Sequence, residues 1–307
     1  MHLAMHHSMC QSEISLTLTS NLKTIILIAR STCMVRLNKV SLSTGSLPRM
    51  ENCQFYELSS VFRMMKRFFQ ESRVDGFEFV LLPEWDSENP PLTPTSAPFE
   101  CEKHTISEVA DALMDKGFPI LSVHANRDIG SYLCSKKDYE VDKGIRLVSE
   151  CLDFTKRVGA KVCVFHFWDT WKESIDLAQL KAVYKKSEGS CPDVEMSIEN
   201  IPTRCQGKTP FQIVQGFRHK TLDLKWASMF NDFEKFAGIM AEVDDVHIQG
   251  LLQDGDMIPS AGSLNYAYAL KQIVRSGYSG LFTVELEGKA DYRDVLDYFD
   301  KLRKQLA

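Results

Sequence analysis

Short apolar runs alternate with longer amphipathic segments along most of the chain. The run at 74–82, VDGFEFVLL, is rich in aromatic and aliphatic residues and predicts a buried strand. Before it, the segment at 56–72 carries apolar residues three and four positions apart, which predicts a helix with one buried face. These residues are Leu58, Val61, Phe62, Met65 and Phe69. The same change of period, from strand to helix, recurs through the rest of the chain.

Eight such strand-then-helix units follow one another. The predicted strands are 35–44, 74–82, 119–125, 160–167, 194–200, 220–224, 244–250 and 280–288. The predicted helices are 56–72, 105–117, 139–159, 174–188, 210–217, 229–240, 263–277 and 291–306. Parallel strands need crossover connections of this length, so the simplest architecture is a closed (β/α)8 TIM barrel, an α/β fold. A doubly wound open sheet is the alternative.

Residues typical of helix ends and of loops mark two boundaries within this pattern. Thr105 and Glu108 predict a capping box at the start of the helix at 105–117, and Gly117 predicts its left-handed end. The stretch at 83–100 contains several prolines, which disfavour regular structure and predict a long loop.

The regular pattern begins near Met34, so we expect residues 34–307 to form one catalytic barrel domain. Residues 1–33 contain an apolar core, Ile25 to Ala29, that is too short to span a membrane. They also lack the positive region and cleavage site of a signal peptide. We therefore expect residues 1–33 to be an unstructured extension or the product of an upstream start.

Composition narrows the class of protein. A hydrophobic fraction of 44% and a charged fraction of 25% are those of a soluble globular protein. The net charge of −5 provides no general attraction for nucleic acid. The 9 cysteines are scattered without a Cys-x-x-Cys pair, which favours free thiols in a reducing cytoplasm. We expect a cytoplasmic protein without a membrane or nucleic-acid partner, and homo-oligomers stay possible.

Ionisable side chains stand at the ends of four successive predicted strands. Glu199 ends strand five, Asp223 ends strand six, His247 ends strand seven, and Glu285 lies in strand eight. Alone, each has an ordinary explanation, such as a solvated loop residue or a helix cap. Together they favour a functional site, because the C-terminal strand ends of a barrel converge on one face. Glu287 is a rival to Glu285, since alternation puts both on one face of the strand.

Three carboxylates crowded at one point repel one another and raise at least one pKa unless a cation lies among them. One nitrogen and three oxygen ligands suit a divalent metal, with Mn²⁺ or Mg²⁺ favoured and Co²⁺ or Zn²⁺ possible. Open coordination positions on such an ion accept two oxygens of an α-hydroxy carbonyl substrate. We therefore predict one divalent metal bound by Glu199, Asp223, His247 and Glu285.

Four more residues are candidates for substrate binding. His124 and His166 fall at the ends of strands three and four, where an imidazole can bind substrate oxygens, transfer a proton or complete a second metal site. Glu78 adds a polar group in strand two, and Trp226 adds an apolar wall near the end of strand six. Arg127, Arg204, Lys208 and Lys225 are the basic residues that can meet a phosphate, and the sequence leaves open whether the substrate carries one.

These strand ends resemble the xylose-isomerase-like TIM-barrel superfamily, which includes sugar isomerases, epimerases and endonuclease IV. The resemblance covers most of the chain from Met34 onward. Its most specific segments are SVHANRDIG, IENIP, LDLKW, DVHIQG and PSAGSLNYAYALKQIVRSGYSGLFTVELEG. The epimerase branch implies that Glu199, Asp223, His247 and Glu285 bind one metal. It also implies that Glu199 and Glu285 are the catalytic pair, one removing and one returning a proton.

Departures from the family pattern weigh against its nuclease branch. Trp226 stands where the family often has a histidine ligand, and Gln249 and Gly250 replace a frequent Lys-Asp pair. His124 and His166 do match ligand positions of that branch, so an ancestral relation stays open. A nuclease with three metals is nevertheless short of ligands.

We therefore expect a metal-dependent isomerase or epimerase of sugars or sugar phosphates, working by proton transfer through an enediolate held on a divalent metal. Its expected partner is a small carbohydrate substrate. The alternatives are a phosphodiesterase related to endonuclease IV that acts on abasic DNA, and a barrel that binds a ligand without catalysis.

Overall fold

The computed structural model describes residues 38–50, 55–71, 73–93 and 100–307. The expectation of an unstructured extension at 1–33 lies outside these residues, as does part of the proline-rich loop. Residues 38–307 form one compact unit.

Eight parallel strands close into a barrel. They are β1 Lys39–Ser43, β2 Gly76–Val80, β3 Ile120–His124, β4 Val162–Phe165, β5 Glu195–Glu199, β6 His219–Asp223, β7 Val243–Gln253 and β8 Leu281–Leu286. Each strand pairs with the next in parallel, and β8 pairs with β1 to complete the ring. The predicted (β/α)8 barrel is confirmed, and the open sheet is excluded.

Helices connect the strands in the predicted order. The main ones are α1 Leu58–Gln70, α2 Ile106–Lys116, α3 Asp138–Arg157, α4 Leu177–Ser190, α5 Pro210–Val214, α6 Leu224–Phe230, α7 Tyr266–Arg275 and α8 Tyr292–Leu306. Shorter helices are Leu47–Met50, Ile129–Leu133 and Phe233–Ala237, with 3-10 turns at Thr44–Ser46 and Met240–Glu242. Short strands Phe55–Tyr56 and Glu100–Cys101 pair with each other outside the barrel.

Local sequence signals explain where α2 begins and ends. Thr105 and Glu108 form the predicted capping box of α2, and Gly117 ends that helix at φ 65°. In α1 the buried face was predicted correctly except at its end. Phe68 is fully buried, whereas Phe69 is 44% exposed.

The connection after β6 differs from the prediction of one helix at 229–240. The chain turns into α6 directly at Leu224, because the Asp223 side chain accepts a hydrogen bond from the Trp226 backbone N–H at 2.8 Å. Helix α6 ends at Asn231, which adopts a left-handed conformation at φ 53°. The remainder of the predicted helix forms the short helix Phe233–Ala237. This early turn keeps Asp223 at the end of its strand.

Strand β7 is longer than the predicted 244–250, because it continues into a hairpin. Asp254 and Gly255 turn the chain at φ 52° and 75°, and Asp256–Ile258 pairs back on β7. Gly250 has no room for a side chain, since a Cβ there would lie 2.2 Å from the Ile258 carbonyl oxygen.

Two further features concern the described residues only. The helices among them are too short or too polar to cross a bilayer. The cysteines in this part of the chain carry free thiols, and three of them, at 151, 163 and 191, are buried.

Candidate active site

The four predicted metal ligands converge at the C-terminal end of the barrel. His247 lies opposite Asp223 where β6 pairs with β7. Its Nδ1 lies 3.6 Å from Oε2 of Glu285 and 4.0 Å from Oε1 of Glu199. Asp223 is fully buried, and its Oδ2 has no hydrogen-bond partner. Glu285, and not its rival Glu287, is therefore the glutamate of β8 that contacts His247.

Two histidines hold the carboxylate of Glu199. Oε2 of Glu199 lies 3.3 Å from Nε2 of His124 and 2.9 Å from Nε2 of His166. The ring of His124 lies edge-on to that of His166, with centroids 4.8 Å apart. Because both imidazoles contact the same oxygen, Oε1 is left facing His247. The three histidines thus surround one carboxylate.

Glu78 lies on the opposite side of His247. Its Oε2 is 3.1 Å from Nε2 of His247 and 3.4 Å from the hydroxyl of Ser122, and its Oε1 has no partner. The Glu78 side chain is fully buried. This carboxylate contacts Nε2 of the imidazole, whereas Glu199 and Glu285 lie nearest to Nδ1.

Asp245 and Asn200 are parts of this arrangement that sequence analysis missed. Asp245 is fully buried, its Oδ2 is 3.7 Å from Nε2 of His247, and it accepts hydrogen bonds from the Thr283 hydroxyl at 2.8 and 2.9 Å. The alternation of strand side chains was a usable signal, because Asp245 precedes His247 by two residues. Asn200 joins β5 to β6: its Oδ1 accepts from the Asp223 N–H at 2.6 Å, and its Nδ2 donates to the Asp223 carbonyl at 3.1 Å.

The charges of the cluster shift the pKa values of its members in opposite directions. Burial alone would raise the pKa of Glu199, but the charge of His166 and the other two imidazoles outweigh it, and the pKa lies well below its ordinary value. Burial would lower the pKa of His124, yet contacts with Glu199 and nearby carboxylates raise it to about 9. The imidazoles therefore supply part of the positive charge that we expected from a metal alone.

The pKa values of Asp223 and Glu78 shift in the opposite direction, upward. Burial, together with the charges of Glu199 and Glu285, raises the pKa of Asp223 well above its ordinary value. Burial also raises the pKa of Glu78, although His247 opposes it. Both carboxyl groups therefore resist ionisation without additional positive charge.

Two groups of potential ligand atoms occur among the described residues, each within 4.8 Å. One contains His124, Glu199 and His247, and the other contains Glu78, His247 and Glu285. His247 belongs to both. Asp223, a predicted ligand, is in neither group, whereas Glu78 and His124, predicted to bind substrate, each belong to one.

The remaining candidates are Trp226 and the basic residues that could meet a phosphate. Trp226 is partly buried at the start of α6, and the ammonium group of Lys225 lies 4.1 Å from its ring centre. Lys225 also pairs with Glu287. Arg127 pairs with Glu84, to which its Nη1 donates a hydrogen bond at 2.8 Å. Arg204 lies 4.2 Å from the ring centre of Trp171, which is 70% exposed.

Several solved structures share this fold. L-ribulose 3-epimerase is 12% identical with a TM-score of 0.59, over 87% of this chain and 96% of that chain. D-allulose 3-epimerase from Methylomonas sp. is 12% identical with a TM-score of 0.61, over 88% and 98%. A xylose isomerase-like TIM barrel protein from Mycobacterium smegmatis, in complex with magnesium, is 14% identical with a TM-score of 0.56, over 89% and 97%. At these identities the likeness shows the fold.

Sequence comparison identifies the family. A search of curated proteins gave no match. A family model described as xylose isomerase-like TIM barrel matches residues 69–302, well over half of the chain. This protein therefore belongs to the xylose isomerase-like TIM barrel family.

Proposed function

We propose that this protein is a sugar isomerase or epimerase that uses one divalent metal ion. The observation that carries the proposal is that Nδ1 of His247 lies within 4.0 Å of carboxylate oxygens of Glu199 and Glu285, while the buried Asp223 lies opposite His247 on the adjacent strand. The L-ribulose and D-allulose epimerases support a carbohydrate substrate, and the magnesium complex from M. smegmatis supports a divalent metal.

The side chains fit such an ion. Oδ2 of Asp223 and both ring nitrogens of His247 are buried without a hydrogen-bond partner. A buried polar atom left in this state costs about 1–3 kcal/mol, which a coordinated cation offsets. Carboxylate oxygens with one imidazole nitrogen suit Mn²⁺ or Mg²⁺, and Co²⁺ or Zn²⁺ are possible. Glu199, Asp223, His247 and Glu285 would hold the ion.

Glu199 and Glu285 are suited to proton transfer. When bound, the metal would polarise the substrate carbonyl and acidify the adjacent C–H group. The side chain of Glu285 is 15% exposed, so it can reach a substrate carbon from the mouth of the barrel. Glu199 is 2% exposed and is kept ionised by its histidine neighbours, so it can exchange a proton on the other side of that carbon.

The three remaining polar residues have positioning roles in this proposal. His124 fixes the orientation of Glu199, and His166, which is 29% exposed, also reaches a substrate hydroxyl. We revise the role of Glu78: as a fully buried carboxylate 3.1 Å from Nε2 of His247, it orients that imidazole so that Nδ1 can bind metal. Substrate contact by Glu78 is no longer part of the proposal.

Solvent exchange tests this function. Purified protein with Mn²⁺ is incubated with a panel of ketopentoses and ketohexoses in deuterium oxide, and NMR follows the C–H positions next to the carbonyl. We expect deuterium in at least one substrate and its epimer or isomer as product. The variant E285Q should abolish exchange, whereas E195Q, an exposed glutamate at the other end of β5, should retain it. Absence of exchange across the panel would contradict the proposal.

A phosphodiesterase acting on abasic DNA is the second candidate. One observation favours it: the ligand atoms of His124, Glu199 and His247 lie within 4.8 Å, which offers a place for a further ion. Metal analysis separates the two functions, since one ion per chain supports the isomerase and three support the nuclease. Cleavage of an abasic duplex would favour the nuclease directly.

A further inference from the structure

A second set of polar side chains lies beyond the proposed metal ligands. Lys225, Gln249 and Glu287 each come two residues after one of those ligands, on β6, β7 and β8 or the segments that leave them. Side chains two positions apart on a strand share a face, so Gln249 projects on the same side as His247. We call Lys225, Gln249 and Glu287 the rim layer.

An ion pair joins two members of the rim layer. Lys225 pairs with Oε1 of Glu287, and only 11% of the Lys225 side chain is exposed. Tyr266 contacts Gln249: its hydroxyl donates to the Gln249 carbonyl at 2.6 Å.

Two side-chain atoms of the rim layer are buried without a hydrogen-bond partner. They are Oε2 of Glu287 and Oε1 of Gln249. Oε2 of Glu287 can only accept while the carboxylate is ionised, and the amide of Gln249 offers a carbonyl or, after a flip, an NH2 group. The ammonium group of Lys225 has three N–H donors, and one of them donates a hydrogen bond to Glu287. Such a set matches hydroxyl groups, which donate and accept at once.

We propose that the rim layer binds hydroxyl groups of an unphosphorylated sugar, at the end remote from the reacting carbons. This inference rests on the proposed function of the metal site and names its substrate class. A hydroxyl donates to Oε2 of Glu287 while its neighbour accepts from Nζ of Lys225. The first contact satisfies Oε2 of Glu287, which is otherwise buried without a partner.

A phosphate ester fits the same layer poorly. Its dianion has no proton to donate to Glu287 and is repelled by that carboxylate, while the charge of Lys225 is already neutralised. Arg127, another basic candidate, is likewise paired with a carboxylate, that of Glu84. Arg204 and Lys208 are exposed. The charges therefore favour a neutral substrate.

Equilibrium binding tests the preference independently of turnover. Isothermal titration with Mn²⁺-loaded protein compares ketopentoses and ketohexoses with their terminal phosphate monoesters. We expect the best free sugar to bind at least about tenfold more tightly than its ester, since buried acceptors discriminate against partners that cannot donate. Tighter binding of the esters, or no binding of either class, would overturn the inference. Absence of deuterium exchange would instead count against the proposed function, and the titration would still decide the substrate class.

The variant E287Q tests the residues themselves. This substitution removes the carboxylate that neutralises Lys225. The ratio of kcat/KM for the free sugar to kcat/KM for its phosphate ester should therefore fall by about fivefold or more. The change should appear mainly in KM, with kcat within about twofold of the wild type. A purely structural role for the pair would lower stability without altering this ratio. The matched control is D256N, which removes the exposed pair of Asp256 with Lys301 and should leave the ratio unchanged. An unchanged ratio in E287Q would overturn the assignment.

Discussion

Oε2 of Glu78 lies 3.1 Å from Nε2 of His247, and both side chains are fully buried. Asp245, at 3.7 Å, is a second carboxylate neighbour of the same nitrogen. Nδ1, on the other side of the ring, faces Glu285 and Glu199. A carboxylate on the far nitrogen of a histidine fixes its tautomer and raises its basicity as a metal ligand.

Replacing Glu78 should therefore weaken metal binding without removing a ligand. We expect E78Q to lower the affinity for Mn²⁺ by about 10- to 100-fold, because the amide no longer fixes the tautomer of His247. Titration followed by the paramagnetic effect of Mn²⁺ on water relaxation measures this affinity. The control E195Q makes the same substitution at an exposed position of β5. Equal affinities for E78Q and the wild type would contradict the orienting role.

Metal addition should stabilise the folded protein through Asp223. At a free Mn²⁺ concentration of 100 times Kd, the wild type should gain about 2.7 kcal/mol, which corresponds to roughly 5–10 °C in Tm. The variant D223N should lose this gain. Without metal it should be at least as stable as the wild type, because asparagine still caps α6 and no longer adds charge to the buried cluster.

Thermal unfolding with and without Mn²⁺ measures both effects. An undiminished metal-induced shift in D223N would exclude Asp223 as a ligand.

The histidines around Glu199 should set the acid limit of activity. Burial favours the protonated carboxyl, and His166 and His124 oppose this, so the pKa of Glu199 is low in the wild type. Removing one imidazole in H166A should raise that pKa. The acid limb of the profile of kcat/KM against pH should move to higher pH, which solvent exchange rates between pH 4 and 8 will reveal. A limb that moves to lower pH would contradict this account.

Stability should depend on pH through a pair far from the site. His219 Nδ1 lies 2.9 Å from Oδ1 of Asp244, and this contact raises the pKa of His219. The folded-state pKa lies above that of the unfolded chain, so the stabilisation is full below about pH 6.5 and is lost as pH rises through the raised pKa. The difference in unfolding free energy between the wild type and D244N should be larger at pH 5.5 than at pH 9. Urea unfolding at the two pH values measures it, and a larger difference at pH 9 would contradict the assignment.

The sequence was sufficient to predict the barrel, because each unit carries its own local signals. The period changes from strand to helix in every unit, and Thr105, Glu108 and Gly117 mark helix ends by side-chain chemistry alone. The convergence of Glu199, Asp223, His247 and Glu285 was also predictable, since parallel strands in a closed barrel bring their C-terminal ends together.

Contacts across the barrel interior were not predictable in the same way. That both His124 and His166 contact one oxygen of Glu199 depends on the side-chain rotamers and on the register between strands. The role of Glu78 depends on its depth: strand alternation places it inside the barrel, and only the structure shows it beneath His247. The pairing of Lys225 with Glu287 joins residues 62 positions apart, so no local sequence pattern predicts it.

Anomalous scattering from a crystal soaked in Mn²⁺ tests the central claim most directly, because it shows the number of ions and their ligands together. The account predicts one ion, coordinated by Glu199, Asp223, His247 and Glu285, with Nδ1 of His247 as the nitrogen ligand. No ion at this point, or an ion held by His124 and His166 without Asp223 and Glu285, would contradict it.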